Sequence, residues 1–220
     1  DNISLNINEN IHPSMVGTAV DYLTRFMIGK NAGEAFKISL KGAKCAGKEK
    51  YAQTLIEKIN GLDDESIRSA CELCGYDVCY RMGLDECYKS GNPMNADKDT
   101  IDNIRTMVNR SLEFFNEYGP VTAMGFTFEG GYTLEIASGD GDYLTEDTLW
   151  DFKVSKLPPK KEHTLQVLIY YIMGKHSIHK EFKDIKRIGI FNPRLNTAYY
   201  IDISEIEKSI LNDVSKNIIG

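Results

Sequence analysis

No apolar run in this sequence approaches the ~20 residues that a membrane-spanning helix needs, and no basic-then-apolar leader opens it. The chain starts at Asp1 rather than Met, so a trimmed leader stays open. Cysteine is sparse and odd in number, with five residues at positions 45, 71, 74, 79 and 87. That pattern does not suggest the framework of a secreted disulfide scaffold, and reduced thiols in a cytoplasm are the simpler expectation. Internal repeats and low-complexity linkers are missing. So is a Gly-x-Ser-x-Gly elbow, which removes the simplest serine-hydrolase chemistry. The four histidines, at 12, 163, 176 and 179, do not make a metal-binding set.

Positive charge is also in short supply. The formal net charge is −6, whereas nucleic-acid binders are usually basic. The distribution says more than the sum. From Glu129 to Asp151 there are seven acids and no Lys or Arg, and from Phe152 to Arg194 ten bases face three acids. Taken alone, such blocks are most often solvated surface. They are equally what a phosphodiester-cleaving site requires, an acidic pocket beside a basic surface. The 220 residues, 42% hydrophobic and 26% charged, suffice for one domain with a good core.

Periodicity predicts helices over residues 14–30 (capped by Ser14), 48–59, from Asp63 onward through Cys79, 99–117 (capped by Asp99), 163–174, and after Ser204. Strands are predicted at 36–40, 121–128, 132–137, 148–154, 185–191 and 198–203. Gly130-Gly131 is read as a hairpin turn and Gly91-Asn92-Pro93 as a break. Helices followed by strands, helix, strands and helix make an α/β or α+β core with helices on its faces.

Chemistry concentrates in three short stretches. On a strand, Asp151 and Lys153 share a face, with Phe152 opposite. Their neighbours Thr148, Leu149, Trp150 and Phe152 suit a mostly buried strand, and buried charges persist only when paired or metal-bound. Asp142 converges with Asp151 if it ends one strand and Asp151 lies on its neighbour. Gln166 and Tyr170 are four apart, hence adjacent on one face of an otherwise apolar helix. Two carboxylates supply hard oxygen ligands for Mg²⁺, and an ammonium orients water and stabilises developing charge.

The series Gly139-x-x-Asp142, Asp151-x-Lys153 and Gln166-x-x-x-Tyr170 resembles the PD-(D/E)xK nuclease superfamily, in particular its RecB-like and phage-exonuclease-like branch. The resemblance covers residues 14–30 and 121–203. It implies an α/β restriction-endonuclease-like core, a central mixed sheet flanked by helices. That core forms one domain over residues 1–220, with a helical insertion at 60–118. It further implies Mg²⁺- or Mn²⁺-dependent hydrolysis of nucleic acid, DNA first, in a cytoplasmic enzyme such as an exonuclease. Asp142 and Asp151 would bind the metal with the backbone carbonyl of Phe152. In Val16-Gly-Thr-Ala-Val-Asp21, Asp21 stands where the branch places a His or Glu on its first core helix. Lys153 would position the water, while Gln166 and Tyr170 support the site. Lys156, Lys160 and Lys161 would contact phosphates, and Glu135 would lie behind the site or on an exposed strand. With no cysteine beyond Cys87, the iron–sulfur cluster of some relatives is not expected.

Other signals carry less. Gly42 to Lys48 fits the glycine and lysine spacing of a phosphate-binding loop, but Glu49 stands where a Ser or Thr is needed. Cys71, Cys74 and Cys79 continue an apolar stripe and read as core rather than zinc ligands. The twelve residues from Asp140 to Asp151 lack the Gly of a calcium loop. Two other functions stay open: a non-cleaving nucleic-acid-binding member of the same fold, and a protein-interaction module of phage or host-defence type.

Overall fold

A computed structural model of the chain describes residues 3–83 and 95–218. The expected break at Gly91-Asn92-Pro93, and Cys87, lie outside the described residues. The chain divides into two compact units, Asp1–Leu112 and Glu113–Gly220.

The first unit is helical among its described residues: α1 (Pro13–Met27), α2 (Ala32–Ala35), α3 (Lys37–Cys45), α4 (Glu49–Ile56), α5 (Asp64–Cys74) and α6 (Asp77–Arg81). A long helix, α7 (Lys98–Tyr118), straddles the division between units. Residues 60–118, expected as a helical insertion, thus hold α5, α6 and α7. Three predicted helix starts shift for local reasons. Pro13 at the first turn of α1 presets helical φ, and His12 rather than Ser14 caps it, Nδ1 accepting from the Ser14 N–H. Asp97, not Asp99, accepts from the Thr100 N–H at the start of α7. Ser204 lies in a short 3-10 turn, and the last helix begins at Lys208.

Residues 36–40, expected as a strand, form helix instead. Phe36, Ser39, Gly42 and Ala43 are the buried positions, a helical rather than an alternating spacing. Gly42 is where α3 meets α6, since a Cβ there would sit 1.9 Å from the Tyr76 carbonyl oxygen. With no strand ahead of Gly42, the phosphate-loop reading loses its context. Asp77 on α6 is buried and accepts hydrogen bonds from Tyr22 (2.7 Å) and from Ser39. Cys71 and Cys74 are buried free thiols, as expected of core residues. Cys79 is disulfide-bonded, which corrects the expectation of reduced thiols throughout.

The second unit is built on a mixed sheet of five strands in the order β1-β2-β3-β4-β5. These are β1 (Ala123–Phe126), β2 (Gly141–Leu144), β3 (Thr148–Phe152), β4 (Arg187–Asn192) and β5 (Thr197–Asp202). Only β3 and β4 run parallel, joined through helix α8 (Lys161–His176); the other pairs are antiparallel. Helix α9 (Lys208–Ile218) ends the described chain. The α/β class, with a mixed sheet flanked by helices, is therefore as the sequence predicts.

Alternation divides the sheet residues between two layers. Leu144, Leu149, Ile188 and Ile190 pack with Val167, Leu168, Ile172 and Met173 of α8. On the other face Trp150, Phe152 and Phe191 meet Phe114 of α7, with ring centroids 4.2–5.6 Å apart. The expected strand at 132–137 does not form. Leu134 is fully exposed, so its alternation has no buried face, and Thr133 and Ile136 close a local turn. β1 pairs with β2 instead, and Gly130-Gly131 turns within the intervening loop. Gly130 needs its positive φ of 85°, and Gly131 lies so close to the Met173 carbonyl that a Cβ would be 2.0 Å away.

Gly189 in the middle of β4 lies beside Trp150 on β3, where a Cβ would come within 2.3 Å of the indole ring. Gly189→Ala is expected to lower unfolding stability by about 1–3 kcal/mol through overpacking, measured by urea denaturation.

Candidate active site

The layer facing α8 is apolar along most of β2 and β3 and turns polar at one end. β2 and β3 pair antiparallel with Tyr143 opposite Trp150 and Leu144 opposite Leu149. One step further in this register places Asp142 opposite Asp151. Directly opposed residues share a face, so both carboxylates lie on the α8 side while Tyr143 and Phe152 take the aromatic side. Asp142 Oδ2 accepts a 2.8 Å hydrogen bond from the Phe152 N–H, which fastens the start of β2 to the end of β3.

Asp151 is 4% exposed. The Lys153 ammonium reaches both its oxygens, at 3.1 Å from Oδ1 and 2.9 Å from Oδ2. The Lys153 backbone N–H continues the ladder to the Phe191 carbonyl at 2.9 Å, so the strand direction is kept one residue beyond β3. Burial works against the Lys153 charge, but Asp151 and then Asp142 and Tyr170 outweigh it and raise its pKa above the ordinary lysine value. The ammonium stays protonated at neutral pH.

Helix α8 brings the third element. Gln166 Nε2 donates to the Tyr170 hydroxyl at 3.1 Å. Burial raises the Tyr170 pKa, with Asp151 and Asp142 adding to the rise while Gln166 and Lys153 oppose it. The phenol therefore remains a neutral group that can donate a hydrogen bond. Gly139 lets this ring in, since a Cβ at that position would be 3.3 Å from Cε1 of Tyr170. Tyr132 holds the same segment from behind, its hydroxyl donating to the Gly139 carbonyl at 2.8 Å. The structure thus gathers Asp142, Asp151, Lys153, Gln166 and Tyr170 around one end of β2 and β3.

Asp21 belongs to α1 in the first unit and pairs with Arg25, with Oδ1 2.9 Å from Nε and Oδ2 2.6 Å from a terminal nitrogen. Phe152 commits its N–H to Asp142 and its ring to Phe114, Phe115 and Tyr143. Lys156, Lys160 and Lys161 are exposed on the segment leading into α8 and on its first residue. Glu135 is exposed on a loop, not a strand. Among the described residues no group of three or more His, Cys, Asp or Glu gathers to hold a metal.

Two residues of this region escape sequence reasoning. Tyr132 sits in a stretch that reads as a strand, and only the fold reveals its hydroxyl contact. Asn192, just past the strand predicted at 185–191, is buried and bonds to the segment after Lys153. An Asn beside Pro at a strand end is the one available signal, because its side chain mimics a backbone turn.

No family model, no curated protein and no solved structure matches the chain. No helix among the described residues is long and apolar enough to cross a membrane.

The pairing of Lys153 with a buried carboxylate has a pH signature. Its raised folded-state pKa means that the stabilisation is fully present below the ordinary lysine value and fades as pH climbs through the raised one. Lys153→Met strands Asp151 and is expected to cost roughly 3–5 kcal/mol near neutrality. On the alkaline side the difference from wild type should hold to about pH 10 and shrink only beyond it, as followed by urea unfolding at a series of pH values.

Proposed function

We propose that this chain is a divalent-metal-dependent nuclease with a restriction-endonuclease-like core, acting on phosphodiester bonds and on DNA foremost. The observation that carries this reading is the opposition of Asp142 and Asp151 across two adjacent strands, with the Lys153 ammonium on Asp151. A carboxylate and an ammonium side by side at the end of an apolar layer are costly to desolvate, and such arrangements concentrate at functional sites. The sheet flanked by helices and the Gln166–Tyr170 pair support the same reading.

The donor set fits Mg²⁺ or Mn²⁺. Mg²⁺ favours hard oxygens and usually takes one or two carboxylates, completing its shell with water and substrate phosphate. Two opposed aspartates therefore suffice without a third protein carboxylate. Asp142 and Asp151 would hold the ion, with the Phe152 carbonyl at the end of β3 as a further oxygen. When bound, such an ion polarises the phosphoryl oxygens and acidifies water. Lys153 orients the attacking water and stabilises charge that builds on the phosphorus oxygens. Tyr170, neutral and held by Gln166, offers a hydrogen-bond donor beside the carboxylates. Lys156, Lys160 and Lys161 contact the sugar-phosphate backbone. The net charge of −6 favours the competing reading of a protein-interaction module, which would show no salt-sensitive affinity for nucleic acid.

Cleavage of linear, circular and single-stranded DNA with Mg²⁺ or Mn²⁺ tests the proposal. Lys153→Ala is expected to lose at least roughly 10²-fold in rate, the scale of removing a transition-state stabiliser. Asp142→Asn should lose a comparable factor while staying folded, because the amide oxygen still accepts from the Phe152 N–H. A wild type inert on every substrate, or variants as active as the wild type, would end the nuclease reading.

A further inference from the structure

β4 ends at Asn192, a residue 1% exposed. Its amide nitrogen donates to the Ser155 carbonyl at 2.8 Å and to the Leu157 carbonyl at 3.4 Å. Its amide oxygen accepts from the Arg194 N–H at 3.0 Å and the Leu195 N–H at 3.3 Å, with the Ser155 N–H at 3.5 Å. One buried amide therefore joins two loops, the segment leaving β3 toward α8 and the turn between β4 and β5. The residue before it, Phe191, takes the Lys153 N–H on its carbonyl. After Lys153, from Val154 to Leu157, the chain has left the sheet, and these contacts with the end of β4 hold its course.

We propose that Asn192 is a positioning residue for Lys153: by tying residues 155 and 157 to the end of β4, it keeps the Lys153 ammonium on Asp151. Lys153 is two residues from the nearest of these bonds, and its long side chain has four rotatable torsions. Beyond the backbone, its side chain is held by Asp151. A segment free to shift by about 1 Å would move the ammonium off its partner, a scale of misplacement that matters for catalysis. The alternative, a merely structural turn cap, predicts that loss of Asn192 loosens the whole unit equally. The inference rests on the nuclease reading only for the consequence in catalysis; the tie between Asn192 and the course of Lys153 stands without it.

Competitive lysine acetylation, read residue by residue by mass spectrometry, tests the tie on the full chain without needing activity. Asn192→Asp keeps oxygen acceptors for Arg194 and Leu195 but loses both donations to Ser155 and Leu157, whereas Asn192→Ala loses all five contacts. In the wild type, Lys153 should label at least about ten-fold more slowly than exposed Lys156, because it is paired with Asp151 and partly buried. In Asn192→Asp its labelling should rise about three-fold or more, and further in Asn192→Ala. Lys175 is the internal reporter of the fold, its ammonium donating to the Phe182 and Lys183 carbonyls, and its labelling should not change. Unchanged Lys153 labelling in both variants overturns the proposal, and so does a rise at Lys175 in step with Lys153. On any DNA that the wild type cuts, Asn192→Asp should lower kcat about ten-fold with KM for DNA within about two-fold. A rise in KM with kcat intact would make Asn192 a support of the binding loop alone and overturn the assignment. Should the wild type cut nothing, the nuclease reading fails while the labelling still decides the positioning role.

Discussion

The register of β2 against β3 is the constraint on which the candidate site depends. Side chains alternate with a period of two along a strand, so a slip of one residue would turn Asp142 to the opposite face from Asp151. The register is pinned from the far side of the sheet. Tyr143, Trp150, Phe152 and Phe191 are locked among Phe114, Phe115 and Tyr118, with ring centroids 4.2–5.6 Å apart. Interior packing tolerates little displacement. An apolar aromatic layer on one face of the sheet thus fixes the position of a polar pair on the other.

The opposite layer explains why the polar groups sit where they do. Leu144, Leu149, Ile188 and Ile190 fill the space beneath α8, and the carboxylates occupy the end of the same face, where β2 begins and β3 ends. There Asp142 fastens a backbone N–H, Asp151 takes the ammonium of Lys153, and Tyr170 enters over a glycine. A buried ion pair is a poor source of net stability compared with an apolar replacement. Its presence at a strand end, rather than one more leucine or valine, is what gives the region its chemical interest.

Much of the second unit was legible in advance. The runs at 148–154, 185–191 and 198–203 became β3, β4 and β5 to within two residues at either end, and the helix at 163–174 became α8 with an added turn or less. The proximity of 151 to 153 and of 166 to 170 is also legible in the sequence, because each of these pairs depends on a local period, whereas the approach of Asp142 to Asp151 depends on how β2 pairs with β3. The first unit is less legible in its sequence. Its α3 carries Phe36, Ile38 and Leu40 in an alternation that imitates a strand, while the buried set follows the helical spacing of Phe36, Ser39 and Ala43. The Tyr132–Ala137 stretch imitated a strand for the same reason, and solvent at Leu134 shows that the alternation had no core to serve.

What the sequence determined by itself is the set of relations that span a few residues. Asp151 and Lys153 lie on one side of a strand, Gln166 and Tyr170 on one side of a helix, and the apolar content of each segment sets its element type. Backbone geometry imposes those periods wherever a helix or strand forms. Only the tertiary structure decided which strand β1 pairs with, that Asp142 stands across from Asp151, that Gly42 and Gly189 are sites of close approach, and that Asn192 holds two loops together. Such relations join residues from nine to about forty positions apart, and they are selected by the packing of a whole layer, which no short window of sequence contains.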